Sequence, residues 1–546
     1  MNVAQFQFKT DISSEPVLRV SNLQVNYTRT NKPVAAVKKI SFEINSGEVV
    51  ALVGGSGSGK TTAAHAVIGL RRESATIAGG SIAVLGQDVT SLSQRELASI
   101  RGRLVGYVPQ DPGVSLNPVQ RIGSQVAEIL SIHQAVKATD IDDTVLKILS
   151  DVGLRNPEQV MRKYPHELSG GMQQRVLIAI AVACNPKIII ADEPTSALDV
   201  TVQKQILDLL SSFAGVNRTA VLLITHDLAV AAQRADRIIV MQEGEIVEIG
   251  DAQQIIATPQ HPYTRSLINA APGFMRRKSR CVLPKNNMRM PYLQLLNINK
   301  TFNGKTGGKT VAVDEVSLSV YAGTTFGLVG ESGSGKTTMA RIAAQLERAS
   351  SGRVLIGGRD ISALRGRDIF DIRRNIQFVH QNPFSSLDPR FNVAEIIMEP
   401  LRAFSIGSRK DQRNRAEELL AQVALDHSYL SHRPRELSGG QRQRVAIARA
   451  LALQPELIIL DEPVSALDVL VQDQILRLLQ RLQQQMGLTY LFISHDLAVI
   501  RQLSDHVGVM QNGKLVEVGL TEDLFSSPKH PYTKQLLDAI PEWTRA

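Results

Sequence analysis

Short unbroken apolar runs punctuate the chain, among them Val49 to Val53, Ile188 to Ala191, Ala220 to Ile224 and Leu457 to Leu460. Runs of this length without alternation predict strands covered on both faces. Elsewhere apolar and polar positions alternate, as in Leu18-Arg-Val-Ser-Asn-Leu-Gln-Val and Leu293-Gln-Leu-Leu-Asn-Ile, which predicts strands with one buried face. Between residues 119 and 165, and again between 391 and 435, the period changes. There Ile122, Val126, Ile129 and Leu130 share one face of a helix. Buried strands alternating with helices predict a mainly parallel sheet flanked by helices, so each half reads as a sheet core with an inserted helical lobe.

The pattern occurs twice. The string Ser-Gly-Ser-Gly-Lys-Thr-Thr stands at Ser56–Thr62 and again at Ser332–Thr338. Leu-Ser-Gly-Gly recurs at Leu168 and Leu437, Asp-Glu-Pro at Asp192 and Asp461, a His-Asp pair at His226 and His495, and His-Pro-Tyr-Thr at His261 and His530. Two tandem copies of one domain account for this collinearity. The expected division is residues 1–275, a basic linker over 276–290, and residues 291–546.

The repeated motifs carry a consistent chemistry. Each Ser-Gly-Ser-Gly-Lys-Thr-Thr string completes the pattern GxxxxGK[ST], after an apolar strand (Val49 to Val53, Thr325 to Val329) and before a helix. Gly54, Ser56, Gly57 and Gly59, with Gly330, Ser332, Gly333 and Gly335 in the second copy, let backbone amides converge on phosphate oxygens at the positive end of that helix. Lys60 and Lys336 reach for β- and γ-phosphates, Thr61 and Thr337 are placed to ligate Mg²⁺, and Thr62 and Thr338 after them count among the nucleotide-binding residues. Asp192 and Asp461 end buried strands, where a carboxylate can hold the same ion. Glu193 and Glu462 follow as candidate general bases for an attacking water. His226 and His495 end later strands and are placed to sense or orient phosphate and water. Gln110 and Gln381, each before a Pro-containing turn, offer an uncharged contact to Mg²⁺ or water. Ser169, Gly170 and Gly171, with Ser438, Gly439, Gly440 and Gln441, start helices and form a second phosphate-binding device in each half.

Composition changes this picture little. Apolar residues make up 43% and charged residues 21% of the chain, an ordinary globular balance. No run approaches the roughly 20 apolar residues of a membrane-spanning helix, and the polar N-terminus has no signal-peptide core. Cys184 and Cys281 are the only cysteines, too few for a disulfide scaffold or a four-cysteine cluster. The excess of 61 basic over 52 acidic residues gives +9. Much of it sits in Arg276, Arg277, Lys278, Arg280, Lys285 and Arg289, with no acid between them. That run reads as a solvated linker, with anionic lipid headgroups as its functional alternative.

With these motifs in order from Tyr27 to Tyr532, the chain resembles the ATP-binding subunits of ABC transporters. Ser-Ala-Leu-Asp at Ser196–Asp199 and Ser465–Asp468 is similar to that family's D-loop, and Tyr27 and Phe302 stand where it stacks an aromatic on adenine. Pro-x-x-Ser-Leu-x-Pro after each glutamine and His-Pro-Tyr-Thr near each end are similar to dipeptide and oligopeptide uptake ATPases, here as a fused pair. Gly55, Met172 and Val464 depart from the usual Glu, Gln and Thr, and none removes a group that touches phosphate. The resemblance implies an α/β fold of two tandem P-loop, RecA-like nucleotide-binding domains, each with an antiparallel β subdomain and a helical one. It implies ATP and Mg²⁺, and two head-to-tail sites in which Ser438 and Gly440 complete the first and Ser169 and Gly171 the second. The implied partners are two transmembrane permeases and, through them, an extracytoplasmic binding protein, with no nucleic acid. The implied location is the cytoplasmic face of the inner membrane, in peripheral contact with it. Peptide import is the expected function. Nickel, metallophore or glutathione import is the alternative within the group, and a soluble ribosome-associated tandem ATPase or a fused sugar-uptake ATPase the rival outside it. The short linker, the His-Pro-Tyr-Thr tails and two intact motif sets speak against the rivals, and no iron–sulfur cluster is expected.

Overall fold

The computed structural model describes residues 15–29, 32–70, 74–196, 198–271, 290–303, 308–382, 386–465 and 467–540. Two compact units emerge: the first runs to Leu198 and includes Val202–Ile268, and the second takes Asp199–Thr201 and the chain from Asn269 onward. Apart from Met290, the expected basic linker lies outside the described residues.

In the first unit a six-stranded sheet has the spatial order Glu245–Asp251, Arg237–Gln242, Val49–Val53, Ala220–Thr225, Ile188–Asp192 and Val105–Val108. All neighbours are parallel except the first pair. Val49–Val53 and Ala220–Thr225 are buried at every position, because helices cover both faces and no position faces water. A second, four-stranded antiparallel sheet is built on Leu18–Arg29, which pairs with Lys32–Ile44 on one side and Ala75–Val84 on the other.

The helical insertion follows the sheet's edge strand. Helices Ile122–Ile132, Ile141–Asp151, Pro157–Arg162 and Gly170–Val182 pack together. Ile122, Val126 and Leu130 are fully buried there against Val145, Leu149 and Val176. Ile129, on the margin of the same face, is only partly covered.

The second unit repeats the design. Its six strands run Ile376–Val379, Leu457–Asp461, Thr489–Ile493, Thr325–Val329, His506–Gln511 and Lys514–Leu520, with only the last pair antiparallel. Pro291–Asn303, Lys309–Tyr321 and Ser351–Ile356 form its antiparallel sheet. Among the described residues no helix is long and apolar enough to cross a membrane.

Candidate functional site

Parallel strands in register place their C-terminal ends side by side, and that edge is where α/β sheets bind ligands. Val53 pairs with Thr225, Ile224 with Asp192, and Ala191 with Val108. The residues following these ends are therefore neighbours: the glycine-rich loop, His226, Glu193 and Gln110. The second unit aligns its own loop, His495, Glu462 and Gln381 in the same way.

The loop wraps its lysine. Lys60 Nζ donates to the carbonyls of Gly54 and Gly55 at 2.9 Å each and to Ser58 Oγ at 3.3 Å. Lys336 Nζ does the same to Gly330 at 2.7 Å, Glu331 at 2.8 Å and Ser334 at 3.4 Å. Burial lowers the pKa of the Lys336 ammonium, against the pull of Glu462 and the other surrounding carboxylates. Gly59, immediately before helix Lys60–Val67, has φ 102°, and a Cβ there would lie 2.5 Å from the Ala36 carbonyl. Only glycine fits both demands. Ser56, Gly57, Ser332 and Gly333 line the exposed rim of their loops, while Thr62 Oγ1 lies 3.3 Å from the Tyr27 hydroxyl. Thr338 follows Thr337 in the first turn of helix Lys336–Ala343.

Thr61 Oγ1 donates to Asp192 Oδ1 at 3.2 Å, and Thr337 Oγ1 to Asp461 Oδ1 at 3.1 Å. Burial pushes both aspartates up to about 6, opposed by the threonine hydrogen bonds. A hydroxyl beside a desolvated carboxylate is a hard-oxygen pair suited to Mg²⁺, which usually takes one or two carboxylates and completes its shell with phosphate and water.

Glu193 accepts from Gln110 Nε2 at 2.9 Å and faces His226 Nδ1 at 3.3 Å. Glu462 accepts from Gln381 Nε2 at 2.9 Å and faces His495 Nδ1 at 3.2 Å. Burial works against the charge of each glutamate, but the paired histidine, the loop lysine and the glutamine outweigh it and hold both carboxyls below their usual value. Burial likewise opposes protonation of the histidines, and the glutamates more than reverse it. Both glutamates take left-handed backbone, φ 46° at Glu193 and 47° at Glu462, a region that side chains enter at a cost and that clusters at functional sites.

Ser169 and Ser438 cap helices Gly170–Val182 and Gly439–Leu451. Gly170 and Gly171, like Gly439 and Gly440, form the first turn. In the second unit the cap is reciprocal: Gln441 N donates to Ser438 Oγ at 3.3 Å, and Ser438 N to Gln441 Oε1 at 2.8 Å. Met172 N donates to Ser169 Oγ at 3.4 Å, but its thioether returns nothing. Phe302 is 42% exposed, with the Lys300 ammonium 4.9 Å from its ring centre.

Sequence reasoning passed over two features. Tyr107 OH donates to Asp192 Oδ2 at 3.4 Å and lies 2.9 Å from His65 Nε2, whereas the second unit has Phe378 and Arg341 at the corresponding positions. The signal was the unequal pair Val-Gly-Tyr-Val and Ile-Gln-Phe-Val immediately before the Pro-Gln and His-Gln turns. The second feature is the tyrosine of each His-Pro-Tyr-Thr, whose hydroxyl reaches the glycine-rich loop.

Two family models match the chain. The family described as "ABC transporter" matches residues 37–196 and 313–465. The one described as "Oligopeptide/dipeptide transporter, C-terminal region" matches residues 247–304 and 516–546. The glutathione import ATP-binding protein GsiA of Shigella dysenteriae is 39% identical over 563 residues, spanning 97% of this chain and 90% of that protein. The protein of the same name from Pectobacterium atrosepticum is 40% identical over 563 residues, spanning 96% and 89%. Among solved structures, the post-hydrolysis dimer of the ATP-binding cassette MJ0796 bound to ADP and Pi is 33% identical, with a TM-score of 0.39, over 42% of this chain and 98% of that one.

Proposed function

Because this chain belongs to the ABC transporter family, as the ATPase subunit of an importer that works with membrane permeases, we propose that both its units hydrolyse ATP to drive uptake of small peptides. Glutathione, a tripeptide, is the first candidate cargo, because the relatives similar over nearly the whole chain are named for its import. The carrying observation is that each unit gathers lysine, threonine, aspartate, glutamate, glutamine and histidine at the ends of four adjacent parallel strands.

In this reading Lys60 and Lys336 leave the loop carbonyls to meet the β- and γ-phosphates. Thr61 with Asp192, and Thr337 with Asp461, would hold Mg²⁺, which would supply charge neutralisation to the phosphates. Gln110 and Gln381 reach the same ion or the attacking water. Glu193 and Glu462, kept ionised and oriented by their glutamine and histidine partners, take that water's proton as it attacks. Tyr27 and Phe302 stack on adenine. Ser169 and Ser438, with the glycines and Gln441 that follow, offer a second set of phosphate donors at helix starts. Phosphoryl transfer needs chiefly positioning and charge neutralisation, which this set supplies. We place the chain on the cytoplasmic face of the membrane, bound peripherally to its permeases, with an extracytoplasmic binding protein delivering cargo and no role for nucleic acid.

Two experiments test this. The Lys60→Ala/Lys336→Ala chain should lack ATPase activity, and full activity in it would sink the mechanism. Gentle solubilisation of the tagged chain from its host should bring down two permeases and a binding protein. A binding protein that retains glutathione or a dipeptide supports the cargo class, whereas one that retains a metal complex overturns it.

A further inference from the structure

The His-Pro-Tyr-Thr string marks the family but has no part in the chemistry above. In the first unit the Glu248 carboxylate accepts the amides of Gln260 at 2.8 Å and His261 at 3.1 Å. His261 Nδ1 accepts the amide of Tyr263 at 3.2 Å, fixing the start of helix Pro262–Ala270. The Tyr263 hydroxyl then accepts the amide of Gly55, in the glycine-rich loop, at 2.8 Å. The second unit repeats every step. Glu517 accepts from Lys529 at 2.8 Å and His530 at 3.0 Å, and His530 Nδ1 from Tyr532 at 3.2 Å. The Tyr532 hydroxyl accepts from Glu331 at 3.1 Å.

The recurrence is informative because the surroundings differ. The loop residue is glycine in one unit and glutamate in the other, and the residue before the histidine is glutamine in one and lysine in the other. The tyrosine-to-loop bond survives both changes. The same loop residue is held from its other side as well, since the lysine ammonium takes the carbonyl of Gly55 and of Glu331. Residue 55 or 331 is thus clamped between the tyrosine hydroxyl at its amide and the lysine at its carbonyl. When the lysine turns to phosphate, the tyrosine still holds the amide, while the carbonyl keeps the hydrogen bond within the loop from Ser58 N at 3.3 Å or Ser334 N at 3.1 Å.

Resting on the ATP-site reading above, we propose that Tyr263 and Tyr532 are positioning residues for the phosphate-binding loop, each keeping its first turn in shape when the lysine engages nucleotide. The C-terminal extension is thereby tied to the loop.

The test is the full-length chain carrying Tyr263→Phe and Tyr532→Phe, which keeps both rings and removes only the hydroxyls. A net hydrogen bond of ordinary strength predicts a rise in the KM for ATP of roughly two- to tenfold, with kcat nearly unchanged. Backbone hydrogen exchange in the segment containing Gly55 should quicken by a similar factor in Tyr263→Phe alone, while the loop around Glu331 keeps its wild-type rate. A merely structural tyrosine would lower melting temperature and active fraction without this split. A wild-type chain that binds no ATP would sink the ATPase reading and this one together. Normal wild-type binding, with KM and Gly55 exchange unchanged in the variants, would overturn the tyrosine clamp alone.

Discussion

Glu193 holds a backbone conformation that glycine adopts freely and alanine does not. Glu193→Gly should therefore be more stable than Glu193→Ala by about 1 kcal/mol, the reverse of the order in a helix, and chemical denaturation of the two variants checks it. Both should lose turnover. Glu193→Gln, which keeps the shape and loses the charge, should slow the first site by roughly 10²–10⁴-fold with ATP binding retained. A smaller prediction concerns Met172. Met172→Gln supplies the carbonyl that closes the capping box seen at Ser438 and Gln441, and should add about 0.5–1 kcal/mol to the stability of the first unit. The residues proposed to touch phosphate were legible because a phosphate-binding loop dictates their spacing. Tyr107 and His65 were not, since nothing in the spacing of a tyrosine and a distant histidine announces that they meet, with the tyrosine reaching on to Asp192.

The buried strands were equally legible, because four unbroken apolar residues ending in Asp leave few alternatives. The long antiparallel strands Lys32–Ile44 and Lys309–Tyr321 were hidden. Register shifts place an extra residue in each, between Ile40 and Val37 and between Val316 and Val313, and break the period of two that reveals a strand. The helical face was read correctly, and it carries weight: Leu130 is fully buried among the inserted helices, so Leu130→Ala should cost about 2–5 kcal/mol in thermal or denaturant unfolding. The C-terminal extensions respond to pH. Partial burial opposes ionisation of Glu248 and Glu517, but the donors around them, including the amides of residues 260, 261, 529 and 530, hold both carboxyls below the ordinary 4.5. With folded values depressed, their stabilisation is complete above pH 4.5 and fades as pH falls through the folded values. Protection of the amides in the segments holding Tyr263 and Tyr532, taken relative to their intrinsic exchange rates, should fall below that point, and Glu248→Gln should show the faster exchange of the first segment already at neutral pH.

At the level of the whole chain, duplication was the most legible property of all, and the cargo the least, because the relevant chemistry belongs to other polypeptides. Both motif sets are complete, so Glu193→Gln and Glu462→Gln should each remove a comparable share of ATP hydrolysis. A chain in which only one of them matters would show that one set has become a regulator. The basic run from Arg276 to Arg289 lies outside the described residues, and its reading as a linker stays a proposal. The pairing of Tyr107 with Asp192, against Phe378 beside Asp461, has an evolutionary consequence. In an ATPase assembled from two copies of one polypeptide, any change in a gene is written into both catalytic centres at once. Here each centre has its own codons, so one can drift, specialise or be tuned while the other keeps the importer working.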